Sequence, residues 1–240
     1  MTIYYIIPCI FGYKDIYKNW IYSISNKYIG NVFIEDYPFD YIINNEKNLI
    51  NVIVQRICKI CVERNETNII IIGHSFGCHI ICSMYNYLFH QLNRINVKIE
   101  KCYLLFPYID KTNDIYTKTG LCLLYNFYKY FPNLFVMIIY YIVWILSIFM
   151  KIFSNVEINH IKSILNMIYK IHLSKFDNNY HIINCYQNVF EIIYCNDIYF
   201  PKELVDKCLV KKHFIDTYHC FMFDSNSFKY INQIIFKKIN

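Results

Sequence analysis

The chain has 240 residues, a length that one folded core can serve. Hydrophobic residues make up 56% and aromatics 19%, with only 5 glycines and 5 prolines, which excludes a disordered or fibrous chain. The net charge of +6 weakly favours an anionic lipid surface. It comes without a Lys/Arg block interleaved with aromatics, so a nucleic-acid partner is not expected.

In chain order, short β-branched runs alternate with longer amphipathic ones. Thr2–Ile7 reads as a strand, and with no basic leader and Pro8 behind it, the N-terminus fits a buried strand better than a signal peptide. A helical stretch from about Asp15 to Ser25 precedes a second strand, Asn31–Ile34. Glu46–Arg64 has helical spacing through Leu49, Ile50, Val54, Ile57, Cys58 and Cys61. Asn68–Ile72 is the third strand, Gly77–His90 a helix, and Val97–Phe106 the fourth strand, closed by Pro107. After a long insertion come a fifth strand, Val189–Tyr194, and a short helix begun by Pro201. A sixth strand, Lys211–Ile215, and a closing helix, Phe228–Lys238, complete the chain.

Apolar runs of this length without alternation belong to parallel strands covered on both faces. Strands alternating with helices imply βαβ units, hence an α/β fold with a mostly parallel, doubly wound sheet. The expected organisation is a core in two parts, residues 1–110 and 186–240, with a hydrophobic helical cap inserted at 111–185.

The chemistry starts at "NIIIIGHSFGCHIIC", residues 68–82. G-x-S-x-G between a strand and a helix is the nucleophile elbow of α/β hydrolases. Gly73 and Gly77 let strand and helix pack closely about a bend that lifts the Ser75 hydroxyl above the sheet. The helix starts beside it, so the N–H of Phe76 is placed to stabilise a negative oxygen.

Serine needs a base and the base an orienting acid, in the chain order Ser, acid, His. Of the downstream histidines, only His213 and His219 follow the fifth strand. His213 lies inside a strand-like run, whereas His219 in "DTYHCF" lies past it, where a loop carries it to the C-terminal edge of the sheet. His219 is therefore the expected base. Asp197, in "IIYCNDIYFP" at the end of the fifth strand, is the expected acid, with Asp206 and Asp216 as alternatives. His74, inside the elbow, reads as a packing or substrate-facing residue. The second oxyanion amide is expected from Pro8–Gly12, at Ile10. Such a triad needs no metal and no cofactor.

Eleven cysteines without a disulfide framework favour a reducing compartment. Cys58 and Cys61 form a C-x-x-C on an apolar helical pattern with no second pair, so they read as core residues. Asn65-Glu66-Thr67 reads as a chance match to a glycosylation acceptor.

The insertion contains "LFVMIIYYIVWILSIFM", residues 134–150, which has no charge and falls just short of spanning length. Ser75 precedes it and Asp197 and His219 follow it, so one bilayer crossing would separate nucleophile from base. A helix lying in a lipid interface, a re-entrant hairpin, or a lid over the site avoids that conflict. Lys151, Lys162 and Lys170 stand nearby as candidates for anionic headgroups.

Three segments give the chain a family likeness. "IGHSFGCHI", "YLLFPYIDKTNDIYTKTG" (Tyr103 to Gly120), and "YCNDIYFP" with "DTYHCFM" together resemble the lipid-droplet-associated serine hydrolase family of the α/β-hydrolase superfamily. It departs from that family at Cys9-Ile10-Phe11, where the family is rich in Gly and Pro. It also opens at a strand that is internal in the family, so leading antiparallel strands are not expected. The resemblance implies a cytosol-facing ester hydrolase on lipid droplets or endoplasmic reticulum, acting on neutral lipid or sterol esters. The alternative is a catalytically silent lipid-surface protein that keeps the fold, motivated by the altered loop at Cys9–Phe11.

Overall fold

A computed structural model of the protein describes residues 2–9, 14–24, 28, 30–37, 46–107, 130–131, 134, 137–139, 141–142, 179–196, 202–217, 221 and 224–236. They contain β1 (Thr2–Ile7), a 3-10 turn (Lys14–Tyr17), α1 (Lys18–Ser23), β2 (Val32–Ile34) and α2 (Glu46–Arg64). β3 (Asn68–His74), α3 (Phe76–Arg94), β4 (Lys98–Leu105) and α4 (Asn179–Cys185) follow. β5 (Phe190–Tyr194), α5 (Lys202–Asp206), β6 (Lys211–Phe214) and α6 (Ser225–Ile235) complete them.

The strands form one sheet in the order β2-β1-β3-β4-β5-β6. Every pairing is parallel. Parallel strands need both faces covered, and the isoleucine run shows why this sequence complies: Ile69, Ile71 and Ile72 are 0% exposed and Ile70 only 7%. α3 packs on β3 and β4 and against α4. α1 and α6 pack together, joined where Trp20 Nε1 donates to Asn232 Oδ1 at 2.8 Å. Among the described residues the two outermost strands are short, β2 with three residues and β6 with four.

The strand order places the site. From β1 the chain steps to β2, then returns to lay β3 on the other side of β1, so the winding direction reverses between β1 and β3. The crevice above the C-terminal ends of those two strands is where open α/β sheets bind ligands. Ile7 pairs with Gly73 there, leaving Pro8 and Ser75 at the mouth.

The chain divides into two compact units. One comprises Met1–Tyr37, Leu49–Asp110 and Phe176–Asn240, and the other Pro38–Asn48 and Lys111–Lys175. α4, inside the 111–185 range read above as insertion, groups with the sheet because it packs on α3. No helix among the described residues is long and apolar enough to cross a membrane.

Candidate active site

β3 runs straight into the turn. Ser75 takes φ 52 and ψ −113, a left-handed conformation that non-glycine residues avoid at a cost of about 1–3 kcal/mol. Two hydrogen bonds hold it there: its N–H donates to Leu105 O at 2.9 Å, and its carbonyl accepts from Cys78 N–H at 3.0 Å. The flanking glycines are sterically required. A Cβ on Gly73 would lie 2.9 Å from Cys78 Cα, and one on Gly77 would lie 2.1 Å from Ile7 O and 2.7 Å from Pro8 O. The first turn of α3 thus rests directly on the backbone at the end of β1. Phe76 opens α3, so its N–H is one of the amides without an acceptor within the helix, at the positive end of the helix dipole.

His74 is 1% exposed. Its Nδ1 lies 2.6 Å from Tyr17 Oη, and its ring packs edge-on against Tyr17, Phe106 and Phe221. It is a core residue on the α1–α6 face of the sheet. Phe106, at the end of β4, also has positive φ (47) and donates its N–H to Ile193 O at 2.7 Å.

Asp197, His219 and Ile10 lie outside the described residues, and each is bracketed by residues that are described. The chain leaves β5 through Cys195 and Asn196, one residue short of Asp197. Two residues past His219, Phe221 is 0% exposed, with its ring 5.1 Å from His74 and 5.2 Å from Trp20. That loop is closed at its ends by Thr217 Oγ1 donating to Asp224 Oδ2 at 3.1 Å. Asp224 also caps α6, accepting the Asn226 N–H at 3.1 Å and the Ser227 hydroxyl. The Ser227 hydroxyl and the other donors around it hold the Asp224 carboxyl below its ordinary pKa. Ile10 follows Cys9, whose N–H donates to Tyr17 Oη at 2.9 Å.

The other candidates have separate partners. His213 lies in β6 with Nε2 2.8 Å from Glu191 Oε2. Burial works against the Glu191 charge, but Lys101 at 2.9 Å, His213 and Lys211 outweigh it and lower the carboxyl pKa. Asp206 ends α5 and pairs with Lys212 at 3.8 Å, while Asp216 is exposed after β6. His79 is buried on α3, its Nδ1 3.1 Å from Asn179 Nδ2. Cys61 is buried and Cys58 half-buried, both on α2 with thiol pKa values pushed up by burial.

A cavity of about 290 Å³ opens at the β2 edge, and no elbow residue lines it. There, buried Glu35 accepts from Tyr5 and Arg56, and burial raises its carboxyl pKa despite both partners.

Sequence reasoning missed Tyr17 and Tyr37. Tyr37 Oη donates to Pro8 O at 2.8 Å, and both phenols are buried against the loop after β1. The signal was weak, since a buried tyrosine needs a partner but this chain carries 25 of them.

The profile of the family described as lipid-droplet associated hydrolase matches residues 36–193, more than half of the chain. The chain belongs to that family. It is therefore a hydrolase of the α/β-hydrolase fold, as the family and the solved structures resembling it agree. One such structure, a hydrolase from Oleispira antarctica, is 10% identical with a TM-score of 0.64, over 100% of this chain and 92% of that one. A Vlm2 thioesterase domain bound with a dodecadepsipeptide is 11% identical (TM-score 0.62; 99% and 94% covered). A structure from work on carboxylesterases of the thaumarchaeon Nitrososphaera gargenis is 12% identical (TM-score 0.60; 97% and 88% covered). At these identities the likeness establishes the fold alone. Comparison with curated proteins finds no match.

Proposed function

We propose that the protein is a serine ester hydrolase that acts on lipid esters, neutral lipid or sterol ester, at a lipid-droplet or endoplasmic-reticulum surface on the cytosolic side. The observation that carries this is the strained Ser75 at φ 52, wedged between two glycines that tolerate no Cβ and placed at the switch point of the sheet. Strain of this kind persists only where surrounding structure enforces it, and here it falls on the one serine between β3 and α3.

In this reading Ser75 Oγ attacks the ester carbonyl while His219, oriented by Asp197, takes its proton. The oxyanion is met by the N–H of Phe76 and Ile10. His219 then protonates the departing alcohol, and water hydrolyses the acyl-enzyme by the same steps. Neither a metal nor a cofactor takes part. A fluorophosphonate probe is expected to label wild-type protein and to leave Ser75→Ala unlabelled. Folded wild type that resists labelling would favour the silent, lipid-binding alternative instead.

Support for the lipid surface comes from the insertion and the family's name. Leu134, Met137, Ile138, Tyr141 and Ile142 follow the spacing of one helix face and are 42–54% exposed. An exposed apolar stripe of this kind suits the headgroup boundary. Lysines at 138 and 142 together are expected to cut co-flotation with phospholipid-coated triacylglycerol droplets roughly tenfold or more. Unchanged flotation would remove this stripe as the contact surface.

A further inference from the structure

A buried hydroxyl that takes no part in the reaction ties the elbow to the loop after β1. Tyr17 is 0% exposed. Its Oη accepts the Cys9 N–H at 2.9 Å and lies 2.6 Å from His74 Nδ1. An amide nitrogen only donates, so Tyr17 Oη is the acceptor toward Cys9, and the same oxygen joins that amide to the His74 ring. Burial raises the Tyr17 pKa well above that of an ordinary phenol, so the phenol stays protonated.

The neighbouring carbonyl is held in the same manner, with Tyr37 Oη donating to Pro8 O at 2.8 Å. The first turn of α3 lies against the same backbone, since a Cβ on Gly77 would come within 2.1 Å of Ile7 O and 2.7 Å of Pro8 O. Pro8 and Cys9 are therefore held by two buried phenols, next to the first turn of α3. With its own N–H committed to Tyr17, Cys9 is not a donor to the reaction, and the next amide along the chain is that of Ile10. The segment Cys9-Ile10-Phe11 contains no glycine, and its first residue is tied by its amide to the buried Tyr17.

We propose that Tyr17 is a positioning residue for the oxyanion hole: by clamping the Cys9 amide to His74, it sets the loop after β1 so that the following amide meets the oxyanion formed at Ser75. This rests on the serine-hydrolase reading above. In the step concerned, Ser75 Oγ bonds to the carbonyl carbon, the carbonyl π pair becomes the oxyanion, and the hydroxyl proton passes to the base. Tyr17 touches none of these atoms and acts only through the loop.

The test compares full-length wild type with Tyr17→Phe on a soluble p-nitrophenyl ester. An alkyl trifluoromethyl ketone serves as the second probe, because its hemiketal on Ser75 carries an oxyanion in the same place. In Tyr17→Phe, kcat is expected to fall roughly 10- to 100-fold, as a misplaced group near the chemistry does, with KM within about twofold. Affinity for the ketone is expected to weaken by the same factor as kcat/KM. His74→Leu, which removes the ring nitrogen that Tyr17 Oη meets, is expected to give the same split and carries the test if Tyr17→Phe does not fold. A folded variant with kcat within about twofold of wild type, or with ketone affinity unchanged, overturns the proposal. Wild type that neither labels nor turns over would instead sink the serine-hydrolase reading itself.

Discussion

Replacing Ser75 by alanine is expected to lower ester turnover by roughly 10⁴- to 10⁶-fold and to leave thermal stability where it was. The loss follows from the role of the hydroxyl as attacking group, since base and oxyanion donors alone recover only a small part of the rate. Unchanged stability follows from the backbone. Alanine keeps a Cβ and so inherits the cost of φ 52, ψ −113 unaltered. Glycine in the same place adopts that conformation freely, which releases about 1–3 kcal/mol of strain. It gives back up to about 1 kcal/mol through the greater freedom of the unfolded chain. Ser75→Gly is therefore expected to be more stable than Ser75→Ala by about 1 kcal/mol or somewhat more, a rise in Tm of roughly 2–4 °C, though equally inactive. Equal melting temperatures for the two variants would show that the elbow stores no more strain than the roughly 1 kcal/mol that glycine gives back.

Much of the sheet was legible because its central strands β1 and β3 are unalternating apolar runs. All six start within one residue of their expected positions. β3 extends to His74, two residues past the expected end at Ile72, since Gly73 and His74 continue the ladder opposite Leu104 and Leu105. Helix ends were harder to place. α3 continues from His90 to Arg94, carrying Leu92 into the core. α6 begins at Ser225 rather than Phe228, because Asp224 caps it and the three polar residues that follow form its first turn. The stretch read as one helix from Asp15 to Ser25 splits into a 3-10 turn and α1.

The elbow was legible because only glycine admits so close an approach of helix to strand. The tethers around it were not. Tyr17 reaches His74 across 57 positions of sequence and Phe221 packs on residues far earlier in the chain, and neither pairing has a local pattern. Asp197, His219 and Ile10 fall outside the described residues, so their roles stand on sequence order and on the neighbours that bracket them.

The largest expected effect on stability comes from Gly77→Ala. A Cβ there would lie 2.1 Å from Ile7 O, 2.7 Å from Pro8 O and 2.8 Å from Ile7 C, all of them backbone atoms. No side-chain rotation relieves such a clash. β1 cannot retreat either, because β2 and β3 hold it on both sides. The start of α3 must therefore lift away from the sheet, taking with it the Ser75 carbonyl bonded to Cys78 N–H and the turn that aims the nucleophile. Overpacking of this severity is expected to cost about 3 kcal/mol or more, lowering Tm by roughly 6–12 °C. Fluorophosphonate labelling at Ser75 should be lost as well, even in the fraction that stays folded. Gly73→Ala makes a useful contrast. Its shortest contact, 2.7 Å, is with Ile81 Cδ1, the tip of a flexible side chain, leaving 2.9 Å to Cys78 Cα and N as the harder limit. It should cost less, about 1–3 kcal/mol. A Gly77→Ala protein that melts and labels like wild type would mean that the contact between α3 and the end of β1 does not hold the nucleophile in place.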